Sequence, residues 1–213
     1  RDRHMSEQNL VTLGKEAKAE LTEKKSVFIG HAAPVRSAEE AENFVLGIRK
    51  KHADARHNVF AYTVGSAVRC SDDGEPKGTG GVPVLEVLKK SGVDRAVIVV
   101  TRYFGGILLG APGLVRAYSR AAAMAVEAAG IVTYRSYTEC TVACEYSFYD
   151  RLMYEIGRRD ILVDGTDFAD SITLRLAVLS EEYEAFCETV FSMTGGKTMP
   201  RRGADRFDGR AER

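Results

Sequence analysis

Apolar positions along the chain fall into strand and helix periods that predict two successive α+β segments, dividing near residue 135. Residues 26–33 read as a strand. Ser37, with Glu40 three positions on, has the form of a capping box. In the helix that follows, Ala41, Phe44, Val45 and Ile48 share one face, and Arg49, Lys50 and Lys51 fall in the last turn, where they suit the dipole. Residues 58–64 read as a strand that 67–70 can join. A polar, Gly-rich loop over 71–81 precedes a short helix over 82–91. The run AVIVVT at 96–101 is of the kind found in strands buried on both faces. A second Gly-rich loop, 102–113, feeds a long helix over 114–129 with Leu114, Ala117, Tyr118, Ala121 and Ala125 along its core stripe. Gly130 ends that helix, and 131–134 read as a closing strand.

The second segment has a plainer pattern. Strands are expected at 139–144, 160–163 and 172–178, the last alternating as Ile172, Leu174, Leu176 and Val178. Helices are expected around Phe148–Ile156 and Tyr183–Phe191, and Gly195-Gly196-Lys197 leads into a short final strand. This order, βαββαβ, is the ferredoxin-like pattern. The expected domains are 5–135 and 138–200, with a charged, disordered tail at 201–213. Arg1 to His4 read as a remnant ahead of a natural start at Met5.

Composition narrows the class. A chain of 213 residues with 45% hydrophobic and 28% charged residues is an ordinary globular protein of one large or two small domains. No apolar stretch approaches the roughly 20 residues of a membrane span, and no secretory signal is visible. Cys70, Cys140, Cys144 and Cys187 form no Cys-x-x-Cys pair and read as reduced thiols of a cytoplasmic protein. The net charge of zero hides an asymmetry. Residues 1–137 hold 20 Lys+Arg against 15 Asp+Glu, a balance of +5, and residues 138–213 hold 10 against 15, a balance of −5. Attraction to an anionic partner must therefore come from a local patch.

Three groups of residues could carry chemistry. The loop Ser71, Asp72, Asp73, Gly74, Glu75, Pro76, Lys77 places three carboxylates within four positions. They could ligate a hard cation or cap turns and the next helix; the spacing is not that of an EF-hand. The second loop joins a buried strand to a helix N-terminus, with Gly105, Gly106 and Gly110 free to bring backbone close to an anion. It meets neither the Walker nor the Rossmann pattern, and its glycines could equally serve tight packing. Arg102 at the loop's entry, and Arg116 and Arg120 four apart on the following helix, could form a basic spot or a solvated face. His57 has no nucleophile beside it in any recognised motif, and Cys70 is its only sequence candidate for a partner.

Here the residues become recognisable. Ala55 to Tyr62, Ser71-Asp72-Asp73-Gly74-Glu75-Pro76 with Gly78-Thr79, Val100-Thr101-Arg102-Tyr103-Phe104-Gly105-Gly106, and Gly113 to Ser119 resemble the signature of the Impact family, in its bacterial, YigZ-type form. The resemblance implies an α+β fold. Its N-terminal domain would be like the βαβ sandwich of a ribosomal-protein domain and the GHMP kinases. Its C-terminal domain would be a ferredoxin-like one similar to the fifth domain of elongation factor G. Both kinds of relative touch RNA or the ribosome. Eukaryotic members regulate translation through competition for a kinase activator, using a further N-terminal module this sequence does not show. Three positions depart from the family: Gly80 stands for Ala, Leu108 for Lys and Pro112 for Gly. The lost lysine and the stiffer loop weaken phosphate binding there.

The resulting expectation is a cytoplasmic, translation-associated protein that binds RNA or a ribosomal component through its first domain. His57, Asn58, Lys77, Arg102, Arg116 and Arg120 would supply the surface, with Gly105, Gly106 and Gly110 shaping the loop. The acidic second domain would dock a protein or a basic ribosomal surface. No cofactor and no membrane partner are expected. Two alternatives stay open: an enzyme acting on a small phosphorylated or anionic metabolite through Asp72, Asp73 and Glu75, and a module that binds protein alone.

Overall fold

The apolar run at 96–101 becomes the centre strand of a sheet covered on both faces. This is seen in a computed structural model of the chain, which describes residues 9–211 and so does not reach the expected natural start. Two compact units are formed, Leu10–Thr133 and Tyr134–Gly209.

In the first unit, strands β2 (Ala17–Glu23), β3 (Ser26–Pro34), β4 (His57–Val64), β5 (Ala67–Ser71) and β6 (Ala96–Tyr103) form a sheet ordered β2-β3-β6-β4-β5. Every pairing is antiparallel. Alternation along the strands divides the core. Val59, Ala61, Ile98 and Val100 face α2 (Gly81–Lys90) and α3 (Ala111–Ala129), while Phe60, Tyr62, Val97 and Val99 face α1 (Ala38–Lys51). A continuous apolar run is usual in parallel sheets because helices cover both faces. Here an antiparallel sheet is covered on both faces, with the same consequence for sequence.

Local signals account for the helix ends. Ser37 Oγ accepts from Glu40 N–H at 3.1 Å, capping α1. Glu40 reaches back one residue further than a capping box requires, to Arg36 N–H at 2.6 Å. Helix α3 begins at Ala111, with Pro112 in its first turn and no side-chain cap, and Gly130 ends it at φ +69°. Its small residues let it lie close to β3. A Cβ on Gly30 would come within 2.5 Å of Ala121 O.

In the first half of the chain two strands escape the sequence reading: β1 (Leu10–Leu13) and β2. The edge strand β2, AKAELTE, buries only Leu21, and its Lys and Glu residues are those that protect a sheet edge. The expected closing strand and the strand at 139–144 are one continuous element, β7 (Ile131–Cys144).

The second unit follows with α4 (Tyr146–Gly157), β8 (Leu162–Phe168), β9 (Ile172–Leu179), α5 (Tyr183–Met193) and β10 (Arg201–Ala211). Strand β7 pairs β9, β9 pairs β8, and β10 pairs β7, which is the ferredoxin-like strand order. Ile172, Leu174, Leu176 and Val178 pack with Leu152, Ile156, Phe186 and Val190 of the two helices. The disordered tail expected from residue 201 is corrected over Arg201–Ala211, which are strand β10. Its charged side chains hid it, and several of them are paired in the fold. Arg206 bridges Asp164 at 2.8 Å and Glu139 at 3.1 Å. All four cysteines are free thiols. Burial, and then the neighbouring Cys187, push the Cys140 thiol up to about 12.

Candidate functional site

The two Gly-rich loops meet at one end of the first sheet. Between them lies a cleft of about 320 Å³, walled by His57, Glu75 and Pro76 on one side and by Phe104, Leu108 to Ala111 and Leu114 on the other, with Arg102 at its floor and Arg56 at its rim. Strand β4 supplies His57, the end of β6 supplies Arg102, and the first turn of α3 closes the far side.

At the floor is a buried ion pair. Arg102 Nη1 donates to Glu75 Oε1 at 2.7 Å, with 7% and 3% of the two side chains exposed. Tyr118 Oη donates to the same oxygen at 2.7 Å, and burial followed by this bond pushes the phenol well above its ordinary range. Arg102 Nη2 donates to Ser26 Oγ at 3.4 Å, while its Nε–H, also buried, has no acceptor among the described residues. The rings of Phe28 and Phe104 flank the guanidinium at 5.4 and 5.6 Å. His57 Nδ1 lies 2.9 Å from Asp73 O. A carbonyl can only accept, so Nδ1 carries the proton, and in the neutral ring Nε2 keeps its lone pair 3.9 Å from Glu75 Oε1.

The carboxylates of the first loop do not converge. Asp72 accepts from the backbone N–H groups of Gly78, Gly80 and Gly81, at 2.8 to 3.0 Å, and so caps α2. Burial opposes its charge, yet those three bonds hold the carboxyl below its ordinary range. Asp73 accepts from Arg49 at 2.6 Å and from Asn58 N–H at 2.7 Å. Glu75 belongs to the ion pair. Among the described residues, no group of three or more His, Cys, Asp and Glu side chains is placed to hold a metal.

Other expected surface residues move inward. Asn58 is buried, and its Oδ1 accepts from Thr101 Oγ1 at 2.7 Å across β4 and β6. Arg102 is a buried partner of Glu75 and not an exposed guard of the loop. Both corrections have one cause: the strand ends carrying these residues lie under the loops, and single-sequence periodicity does not reveal that cover. Lys77 is exposed on the first loop. Gly105 packs against the backbone of Lys25 and Ser26, whereas Gly106 and Gly110 turn the chain at φ +81° and +73°. Cys70 is no activated partner for His57, because burial and then Asp72 push its thiol up.

Arg116 and Arg120 stay on the surface. They border a groove of about 210 Å³ with Lys24, Glu23 and Leu109, and neither has an acidic partner among the described residues.

His31 and His52, given no role by the sequence, lie 5.2 Å apart between ring centres, with the rings tilted at 51°. His52 Nδ1 bonds Tyr103 Oη at 2.9 Å, and Tyr103 donates on to Asp54. Burial first, then the charges of His52, Lys51 and Lys18, lower the His31 imidazole to about 4. An unfolded histidine near 6.5 takes up a proton that the folded His31 refuses, so this group withdraws stability as pH falls from about 6.5 to 4. His31→Gln is expected to flatten the acid limb of a urea-midpoint profile. An unchanged limb would assign the loss to other groups.

Residues 24–126 match the Impact N-terminal domain, and residues 142–197 match a domain of unknown function, DUF1949. The IMPACT family member YvyE of Bacillus subtilis is 35% identical over 187 residues, covering 86% of each chain. The IMPACT family member YigZ of Escherichia coli is 35% identical over 178 residues, covering 81% of this chain and 87% of that one. Protein IMPACT of Homo sapiens matches over 98 residues at 33% identity, which is 42% of this chain and 30% of that protein. A crystal structure described as that of a hypothetical protein superposes with a TM-score of 0.59 at 31% identity, covering 94% of this chain and 99% of that one. With two relatives 35% identical and matched over most of their length, the chain belongs to the IMPACT family.

Proposed function

We propose that this protein acts in translation in the cytoplasm, binding RNA or a ribosomal component through the surface of its first unit. The observation that carries the reading is the pair Arg116 and Arg120. They sit on α3, exposed, without an ion-pair partner among the described residues, in a groove of about 210 Å³ that Lys24 and Glu23 also line. Arginines so placed make phosphate contacts that position a nucleic acid without reading its sequence. Family membership and the +5 balance of residues 1–137 support the same reading. The second segment, with its balance of −5, would face a basic partner. No helix among the described residues is long and apolar enough to cross a membrane. The alternative of an acid–base or metal enzyme built on Asp72, Asp73 and Glu75 is less favoured, because internal donors already occupy each carboxylate.

The test is RNA and tRNA binding by fluorescence anisotropy across a salt series. Arg116→Ala with Arg120→Ala is expected to weaken binding about tenfold and make the salt slope shallower by about 1.5 to 2, the loss of two phosphate contacts. Equal affinity and slope in the double variant would sink this surface as the contact.

A further inference from the structure

We propose that the cleft between the Glu75–Pro76 turn and the start of α3 binds a small amphiphilic anion. A carboxylate or phosphate head would sit at the α3 N-terminus beside Arg102, and an apolar body would lie on Phe104, Leu108 and Leu109. This cleft shares Leu109 with the Arg116–Arg120 groove but none of its charged residues, so its ligand is tested separately from RNA binding.

Two independent observations converge on it. The first is the end of α3. This helix spans 19 residues, begins at the wall of the cleft, and has no side-chain cap. Of its first-turn positions, Pro112 has no N–H and Leu114 N–H bonds Gly110 O at 2.9 Å, which leaves the Ala111 N–H, at the wall of the cleft, without an acceptor among the described residues, beside the positive end of the dipole. The second is Arg102. Its side chain is 7% exposed and lines the same cleft, and the Nε–H donor has no acceptor among the described residues. A buried donor left unpaired is costly, and an acceptor brought by a ligand recovers that cost. Glu75 accepts from Arg102 and Tyr118 through Oε1 and so forms a pair of zero net charge with Arg102, which leaves the net positive charge of the cleft to Arg56. Arg56, whose guanidinium lies 5.8 Å from the Phe104 ring centre, adds a positive charge at the rim.

The remainder of the wall sets the second half of the ligand's chemistry. Leu108 is 82% exposed, and Phe104 and Ile107 of the same loop are 40% and 42% exposed. A loop that offers three large apolar side chains to solvent beside a polar floor suits a partner with an apolar body and one charged end. The cleft volume fits a chain of about six carbons with its head group.

The experiment uses the full chain, at constant ionic strength, with thermal shift and calorimetry against hexanoate, hexyl phosphate, inorganic phosphate and 1-hexanol. Hexanoate and hexyl phosphate are expected to bind saturably and raise the melting temperature. Inorganic phosphate should bind more weakly, and 1-hexanol should do nothing. Ala111→Glu places a carboxylate at the exposed first position of α3, where an acid favours the helix but repels an anion. It is expected to keep the melting temperature of the free protein and weaken both alkyl anions at least about tenfold. Arg56→Ala, at an exposed rim position, should weaken them as well. The proposal is overturned if neither alkyl anion binds, if 1-hexanol or inorganic phosphate matches them, or if both variants bind as the parent does.

Discussion

Arg102→Ala is expected to destabilise the first unit by about 3–5 kcal/mol, seen as a large fall in the urea midpoint. The replacement leaves Glu75 buried, 3% exposed, with Tyr118 as its remaining close donor. Removing one partner of a buried ion pair costs far more than the pair itself contributes, because the other charge cannot reach water. The companion measurement is Arg102→Met with Glu75→Gln. Without an orphaned charge, the double variant should lose clearly less than the two single replacements summed. A loss below about 1 kcal/mol for Arg102→Ala would mean that water reaches Glu75 and that the pair is not a structural keystone. The result also governs how function is tested. From its sequence position Arg102 invites replacement as a phosphate contact, yet weaker RNA binding in that variant would report unfolding. Arg116 and Arg120, exposed and without an ion-pair partner among the described residues, are the positions where binding can be read cleanly.

Gly105→Ala is the second large effect, with an expected loss of at least about 1–3 kcal/mol. A Cβ there falls on the backbone carbonyl of Lys25 and lies 2.5 Å from Ser26 N. These are backbone atoms of the β2–β3 turn, so no rotamer change can make room. Gly105 N–H also donates to Ser26 Oγ at 3.2 Å, the oxygen that accepts from Arg102, so displacing the loop disturbs the floor of the cleft as well. Gly106 is the internal control. It has φ +81° and nothing within reach of a Cβ, so Gly106→Ala should cost only the roughly 1–2 kcal/mol of an unfavourable backbone region. Equal losses at the two positions would refute the packing role of Gly105.

These two residues also show where the sequence reading stopped. The Arg102-to-Gly113 segment announces a functional loop through its glycines, and it does border the cleft. What one glycine is for depends on which distant segment runs past it, here the turn at Lys25, and that turn lay in a stretch with no strand signal. Arg102 reads as an exposed cation because nothing local balances it. Its partner lies 27 positions away in sequence and becomes adjacent only when the end of β6 passes beneath the first loop. The three carboxylates of that loop read as one cluster. In the fold they serve three separate tasks: capping α2, holding β4 to α1, and neutralising Arg102.

What the sequence by itself determined is the local and periodic part. The Ser37 cap, the Gly130 stop, the alternation of β9, the doubly buried β6 and the βαββαβ order of the second unit all rest on signals within a few residues. Period and capping report what a segment buries against its immediate neighbours. The family is legible for the same reason, because its motifs are contiguous. The tertiary structure alone decided that β2 and β10 are strands, since a polar edge takes its stability from backbone pairing with a neighbour. It decided too that Arg102 and Asn58 are interior and that Arg116 and Arg120 are not. Whether a charge is bare or neutralised is a property of distance in space, and chain separation carries almost no information about it.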